Sequence, residues 1–574
     1  MLTRWGRDLD RERPLPEHPR PQLVRPRWAS LNGPWQYAIT GTDEIPADWD
    51  GEIVVPFSPE AELSGVGRQL QPDQWLFYSR SFAPPPLADG ERLLLHFGAV
   101  DQTCTVWVNG VEVGGHTGGY LPFSLDITDA LTDPGTRDLD VIVVRVRDLS
   151  ETAPHARGKQ RLDRGTIWYT AQSGIWQTVW LEPVPATHIV DLEITPDVGA
   201  GGFDVRLLLS DGTSADRRVT VDEPRLWSPD DPHLHWFDVT AGEDSVRTYG
   251  ALRTFGVRDG RLLLNGEPIQ HVGVLDQGYW PDGLLTAPSD AAMVHDITTM
   301  KALGFNALRK HVKVEPLRWY HHCDRLGMLV WQDMVNGGGR YRHLVANLPA
   351  RWPVRLSDRR YDLFFRGDAD ARAEFREEVR QTVVLLRNTA CIAVWVPFNE
   401  GWGQFDANDV AAEIAALDPT RQVNHVSGWV DQGGGDIRSF HRYVRRWRMP
   451  RRRRGDRRVI ALSEYGGYSL RVDGHDWSTA LSESGEEYGY RHCEDETELA
   501  EAFTELHTRV IAPTVPQGLA ATVYTQLSDV EDELNGLLTW DREVQKIPTD
   551  VLRAALQTLR EGAPSRAPVG EAEL

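Results

Sequence analysis

Residues 393–406 read AVWVPFNEGWGQFD, an apolar run suited to a fully buried strand that ends in Asn399-Glu400 and then meets Trp402, Phe405 and two glycines. A carboxylate at the end of a buried strand is costly unless it is paired or employed. Runs of the same kind recur after about Ala251: PIQHVGVLD, ALRKHV, MLVWQDM, VNHVSGW, IRSFHRY, VIALSEYGG and TVYTQLSDV. Between most of them lie helical stretches such as SDAAMVHDITTMKALG, which Ser289-Asp290 caps and Gly304 stops, DADARAEFREEVRQTVVLLRN and DANDVAAEIAALD. Eight strand–helix alternations predict a parallel (β/α)8 TIM barrel over residues 251–562.

Upstream the pattern is all-β. In TCTVWVNGVEV, Cys104, Val106 and Val108 alternate with Thr105 and Trp107, and Asn109-Gly110 is a type I′ hairpin signal. Residues 26–185 therefore read as a jelly-roll sandwich. Residues 186–250, with DVRLLLSDG and RRVTVDEP, read as a smaller immunoglobulin-like sandwich. Residues 1–25 form a charged, Pro-rich arm and 563–574 a tail. The expected architecture is multidomain: jelly roll, immunoglobulin-like module and catalytic barrel. The few residues after the last helix predict no further C-terminal β domain.

Composition narrows the function. Lys and Arg number 62 against 84 Asp and Glu, a formal charge of −22 that argues against nucleic acid or an anionic membrane as partner. The N-terminus has no apolar core of a signal peptide and no segment is long and apolar enough to span a bilayer, so the expected location is cytoplasmic. Cys104, Cys323, Cys391 and Cys493 are scattered and read as free buried thiols. The sequence YHHCD, Tyr320 to Asp324, lacks the i, i+4 spacing of helical zinc ligands. No metal site and no cofactor are expected.

Active sites of such barrels form at the C-terminal ends of the strands. Those ends carry Asp276 or Tyr279, Arg309 with His311, Asp333, Asn399-Glu400, Trp429, His441 with Tyr443, Glu464-Tyr465, and Gln526 to Asp529. Glu400 follows the fourth candidate strand and Glu464 the seventh, across the barrel mouth. Two carboxylates facing over a cavity are the minimum apparatus for glycoside hydrolysis. The bland alternative for either alone is a salt bridge.

The chain resembles glycoside hydrolase family 2. LNGPWQY and VWVNGVEVGGHTGGYLPFSLDIT resemble its N-terminal jelly roll, GFNALRKHVKVEPLRWYHHCDRLGMLVWQDM its barrel signature, GWVDQGGGDIRSFHRY a later barrel segment, WVPFNEGWG its acid/base motif and LSEYGGYS its nucleophile motif. The resemblance implies a retaining exo-β-glycosidase with Glu400 as acid/base and Glu464 as nucleophile. Asn399 would bind the sugar 2-hydroxyl and Arg309 would keep Glu464 ionised. His311, His441 and Tyr443 would line the glycone site. Trp402, Trp429 and Trp540 are stacking candidates against an equal expectation of packing; Asp333 would bind sugar or brace Arg309, and Gln526, Asp529 and Glu531 would reach substrate. The carbohydrate would be a β-galactoside first and a β-glucuronide next, with mannosides and arabinosides open. A catalytically inactive sugar-binding protein and a scaffold that merely keeps the fold are the rival readings. Some members of the family bind Mg²⁺ near the acid/base, but no full ligand set is legible; a homo-oligomer is left open. The run VRRWRMPRRRRGDRR, Val444 to Arg458, departs from the family pattern. It reads as a solvated loop or as a basic rim for an acidic sugar or an acidic subunit surface.

Overall fold

The computed structural model describes residues 1–132, 139–339, 356–443, 446–452, 454–477 and 489–562. The tail 563–574, Val444, Arg445 and Arg453 lie outside the described residues.

Eight parallel strands form the barrel: β1 (His271–Asp276), β2 (Ala307–Lys310), β3 (Leu329–Asp333), β4 (Ile392–Val396), β5 (Gln422–Val423), β6 (Ile437–Arg442), β7 (Val459–Gly466) and β8 (Leu519–Thr525). Their order is β5-β4-β3-β2-β1-β8-β7-β6, and among the described residues only β5 and β6 are not joined by ladder hydrogen bonds. β4, IAVWV, is apolar and buried at every position, as a strand covered on both faces must be. The helix Asp290–Leu303 begins where Ser289 Oγ accepts from the Ala292 N–H at 3.1 Å and ends at Gly304 with φ +109°. Asp368 caps Ala369–Leu386 in the same way.

The alternation is incomplete. Loop 424–436, VSGWVDQGGGD at its centre, joins β5 to β6 without a helix. Its glycines at 428, 433 and 435 have positive φ, and a helix there would give up too much backbone freedom. No helix separates β6 from β7 among the described residues either.

The N-terminal β domain pairs a six-stranded antiparallel sheet, from Gly51–Val55 at one edge to Val111–Thr117 at the other, with a four-stranded one that contains Arg92–Phe97 and Val179–Val184. The hairpin turn at Asn109-Gly110 has φ of +52° and +82°, the signature of type I′. Residues 189–250 form a second, smaller sandwich of three and two strands around Leu192, Phe203, Val239 and Val246. A buried core runs on from the barrel into the first domain through Tyr120, Tyr169 and Trp176. All four cysteines are buried and unpaired. No helix among the described residues is long and apolar enough to cross a membrane.

The N-terminal arm lies across the joint between the two β domains. Arg25, 4% exposed, gives a two-pronged contact to Asp244 (3.0 and 2.7 Å), bonds Glu182 at 2.9 Å and reaches the Ile189 carbonyl at 2.6 Å. Removing one member of a buried ion-pair network leaves the others uncompensated. Arg25→Met is expected to cost about 3–5 kcal/mol, read as a lower urea midpoint; an unchanged midpoint would mean that the arm adds nothing to the joint.

Candidate active site

Arg309, fully buried at the end of β2, organises the barrel mouth. Its Nε and Nη2 grip Asp333 at 2.9 Å each, Nη2 also reaches Asn399 Oδ1 at 2.9 Å, and Nη1 donates to Glu464 at 2.7 Å and to the Ser463 carbonyl at 3.2 Å. One guanidinium thus ties together β2, β3, β7 and the segment after β4. Asp333 also bonds His311 Nδ1 at 2.7 Å; its position as a brace for Arg309 is clear. Tyr443 donates to the other Glu464 oxygen at 2.6 Å and stacks on Tyr490 with ring centroids 3.9 Å apart.

Local backbone irregularities aim both glutamates. β7 bulges against β6, so that Phe440 faces Leu462 but His441 faces Glu464. A regular strand sends neighbours to opposite sides; the bulge lets Ser463 and Glu464 both turn their side chains into the site. Past Pro397, Asn399 makes a parallel bridge with Ser427, and Glu400 takes a left-handed φ of +52°. Such a conformation is rare for a residue with a Cβ and clusters at functional sites.

Glu400 Oε1 is 2.6 Å from His441 Nδ1, which is 3.3 Å from Glu464 Oε2. Carboxylate oxygens of both glutamates and the His441 nitrogen all lie within 4.8 Å of one another. A chain of hydroxyls sets the protonation of His441. Ser463 Oγ donates to the Phe440 carbonyl at 3.5 Å, Ser427 Oγ donates to Ser463 at 2.8 Å, and His441 Nε2 is 2.9 Å from Ser427. A carbonyl only accepts, so the chain runs one way and Nε2 carries the proton. Nδ1, on the other side of the ring, makes the short contact with Glu400. Burial also raises Glu400 above the usual carboxylate range; the His441 bond offsets only part of this, and the charge of Glu464 adds to it. Burial would raise Glu464 too, but His441, Arg309 and the Tyr443 hydroxyl outweigh it and hold that carboxyl low. A carboxyl shifted toward its acid form and one held toward its charged form therefore face each other.

The other anticipated residues divide. Trp429 is half-buried and sets its ring edge-on to His441, with centroids 6.2 Å apart. Trp402 packs on Trp168 of the first domain. Trp540 is fully buried, edge-to-face with Trp477, and presents no open face. Gln526 is occupied by Gln277 (2.8 Å) and Asn535 (2.7 Å). Asp529 bonds Lys546 at 2.7 Å, and Glu531 accepts from the Thr170 N–H at 3.0 Å; both are engaged within the protein.

The described residues of the basic run, 446–452 and 454–458, do not border the mouth. Trp447 is buried with its indole N–H on Thr514 Oγ1 at 2.9 Å, Met449 packs on the barrel core, and Arg452 lies against Gly518, which precedes β8. These apolar anchors draw the chain down the outside of the barrel toward the N-terminal strand ends, and Arg458 is neutralised by Asp431 and Asp456.

Instead, residues 155–161 of the first domain form part of the mouth. Ala156 bridges Gly337, the Arg157 and Gly158 N–H groups donate to the Asn336 carbonyl at 3.0 and 2.8 Å, and Gly158 abuts Val312, next to His311. Lys159 follows. The sequence reading missed this segment, as it missed Ser427, Ser463 and Glu533. The glycine and lone lysine of HARGKQR were visible but had no anchor in a β-rich stretch.

The cluster Glu400, His441 and Glu464 does not suit Mg²⁺, which demands oxygen ligands in near-octahedral array. Glu464 is already bonded by Arg309 and Tyr443, one on each oxygen, and one of the three donors is a ring nitrogen.

A parallel barrel with an acid and a carboxylate opposed at its C-terminal face defines the site class of glycosidase barrels. The sequence model "Glycosyl hydrolases family 2, TIM barrel domain" matches residues 255–450, and "Glycosyl hydrolase 2 galactose-binding domain-like" matches 51–167. The chain belongs to glycoside hydrolase family 2. A β-galactosidase of Thermoanaerobacter pseudethanolicus is 23% identical over 395 residues, covering 61% of this chain and 48% of that one. The chain thus spans about half the length of this curated relative. Among solved structures, a Ruminococcus gnavus β-glucuronidase superposes with a TM-score of 0.70 at 17% identity over 93% of this chain and 98% of its own. An Eisenbergiella tayi β-galacturonidase bound to galacturonate gives 0.67 at 17% identity, covering 93% and 97%. At such identity these two establish the fold.

Ser427→Ala is expected to remove the acceptor that holds a hydrogen on His441 Nε2, which strengthens donation from Nδ1 to Glu400 and favours its charged form. The Glu400 pKa then falls, and the basic limb of a kcat/KM profile moves to lower pH. A basic limb that stays in place would show that the hydroxyl chain does not govern Glu400.

Proposed function

We propose that this protein is a retaining exo-β-glycosidase. One observation carries the reading: the oxygens of Glu400 and Glu464 come within 4.8 Å, with Glu400 pushed toward the acid form and Glu464 held ionised. Retention needs carboxyl groups about 5–5.5 Å apart, whereas inversion needs roughly 6.5–9.5 Å to admit a water. Glu464 attacks the anomeric carbon as Glu400 protonates the departing oxygen; water, activated by the Glu400 carboxylate, then cleaves the glycosyl-enzyme. Arg309 and Tyr443 keep Glu464 ionised until it attacks. Asn399 gives its carbonyl oxygen to Arg309, which leaves its NH2 to donate to the sugar 2-hydroxyl. The first-domain segment 155–161 closes one side of the mouth, which favours removal of a terminal residue. Four unpaired buried thiols suit a reducing cytoplasm. The similar proteins carry galactosidase, glucuronidase and galacturonidase names, so the glycone is a neutral hexose or its uronic acid.

Glu464→Ala is expected to lower kcat on nitrophenyl β-glycosides by at least about 1,000-fold, with azide restoring turnover to an α-glycosyl azide. Full activity in that variant removes the nucleophile from position 464. Glu400→Gln should spare dinitrophenyl glycosides relative to alkyl glycosides; equal loss on both contradicts an acid at 400. Activity requires Glu464 ionised and Glu400 protonated. It is therefore lost as pH falls through the depressed Glu464 pKa and as pH rises through the raised Glu400 pKa. Arg309→Met should move the acidic limb to higher pH, and a limb that does not move would free Glu464 of its dependence on Arg309.

A further inference from the structure

The chain contains five lysines. Lys310 is paired with Asp276 and Glu315, Lys313 with Glu315, Lys546 with Asp529, and Lys301 donates to the Pro229 carbonyl at 2.6 Å. Lys159 differs: it is 7% exposed, yet its ammonium makes no hydrogen bond or ion pair among the described residues. Its Nζ lies over a π face, 5.3 Å from the Tyr169 ring centroid. Tyr169 in turn hydrogen-bonds Glu533.

A buried ammonium without a bonded partner is costly. The backbone places it deliberately. Gly158 N–H and Arg157 N–H hold the preceding residues on Asn336, and the Lys159 carbonyl accepts from Tyr169 N–H at 2.9 Å. Gly158 lies against Val312, one residue past His311, and is bonded to Asn336, three residues past Asp333, so Lys159 stands on the rim that carries these site residues; its charge acts on His311, Glu400 and Glu533. Neither Glu400 nor Glu533 bonds the ammonium: Glu400 is held by His441, and Glu533 by Tyr169 and Gln526. Glu464 and Asp333 already share Arg309.

We propose that Lys159, delivered by the first β domain, is the specificity-determining residue for an acidic glycone: its ammonium receives the C6 carboxylate of a terminal β-linked uronic acid. The carboxylate supplies the missing acceptor and the missing charge at once. A neutral hexose offers only a hydroxyl there and leaves the ammonium uncompensated. A site built around a buried polar partner discriminates steeply against ligands that lack the complement. The inference rests on the glycosidase reading for the location of the glycone, and on the barrel mouth alone for the anion site.

The test has two arms on the full-length protein. In the first, nitrophenyl β-D-glucuronide and β-D-galacturonide are compared with the glucoside and galactoside. The wild type should favour a uronide, and in Lys159→Met the uronide-to-hexoside ratio of kcat/KM should fall roughly 100-fold. Lys159→Gln should follow, and the two uronides distinguish which epimer fits. In the second, calorimetry measures free glucuronate and galacturonate against glucose and galactose, a comparison that needs no turnover. The uronates should bind the wild type at least about 10-fold more tightly, with the gap closing in both variants. Equal loss on charged and neutral substrates would make Lys159 a prop for the catalytic carboxylates or the loop and overturn the proposal, as would wild-type preference for neutral sugars in both arms. If the wild type cleaves no glycoside yet still binds uronates through Lys159, the hydrolase reading fails and the anion site stands.

Discussion

The buried guanidinium of Arg309 is the constraint on which the site depends. It sits where three strand ends and one loop converge, and every donor it offers is taken. An arginine in a core of low polarity is tolerated only with matched acceptors, and removing one leaves charge stranded. This makes Asp333, Asn399 and Glu464 a single unit. Its fixed positive charge also separates two glutamates that lie near each other: Glu464 is paired with it, whereas Glu400 is not and is shifted toward its acid form.

The imidazole is controlled from a distance. Ser427 and Ser463 carry the hydrogen bonds that order the far side of His441, and the chain ends on the backbone of β6, the strand that bears His441 itself. The device therefore needs the β7 bulge, which brings Ser463 to the interior beside Glu464. Chemistry at the mouth is in this way written partly in backbone geometry.

Much of this was legible in the chain. Period-two patterns, the Asn109-Gly110 turn, the Ser289 cap and apolar strands with polar ends follow from local rules, and they gave the architecture and the pair Glu400 and Glu464. Other features depend on three-dimensional context that residue type does not encode. A tryptophan reads alike whether it packs, as Trp540 does, or borders the site, as Trp429 does. Gln526 looks free until Gln277 and Asn535 meet it from other loops. The basic run misled because its charge was conspicuous, while its two small anchors, Trp447 and Met449, decided its course. Ser427 and Lys159 were unremarkable as letters; each matters through neighbours far away in sequence.

The attachment of the first domain to the barrel mouth has an evolutionary consequence. Its N–H bonds at Arg157 and Gly158 join main chain to main chain, and the Arg157 guanidinium adds one to the Gly338 carbonyl at 2.7 Å, so substitution of the side chains at 159 and 161 leaves the docking intact. Positions 159 and 161 can thus diversify while the scaffold that presents them stays put. Gly337 has no such licence, because a methyl group there would fall 1.8 Å from the His155 carbonyl oxygen. Across descendants of this chain, glycine at 337 should be inherited while its neighbours across the seam drift, so that ligand preference evolves on one module and bond cleavage is preserved on another.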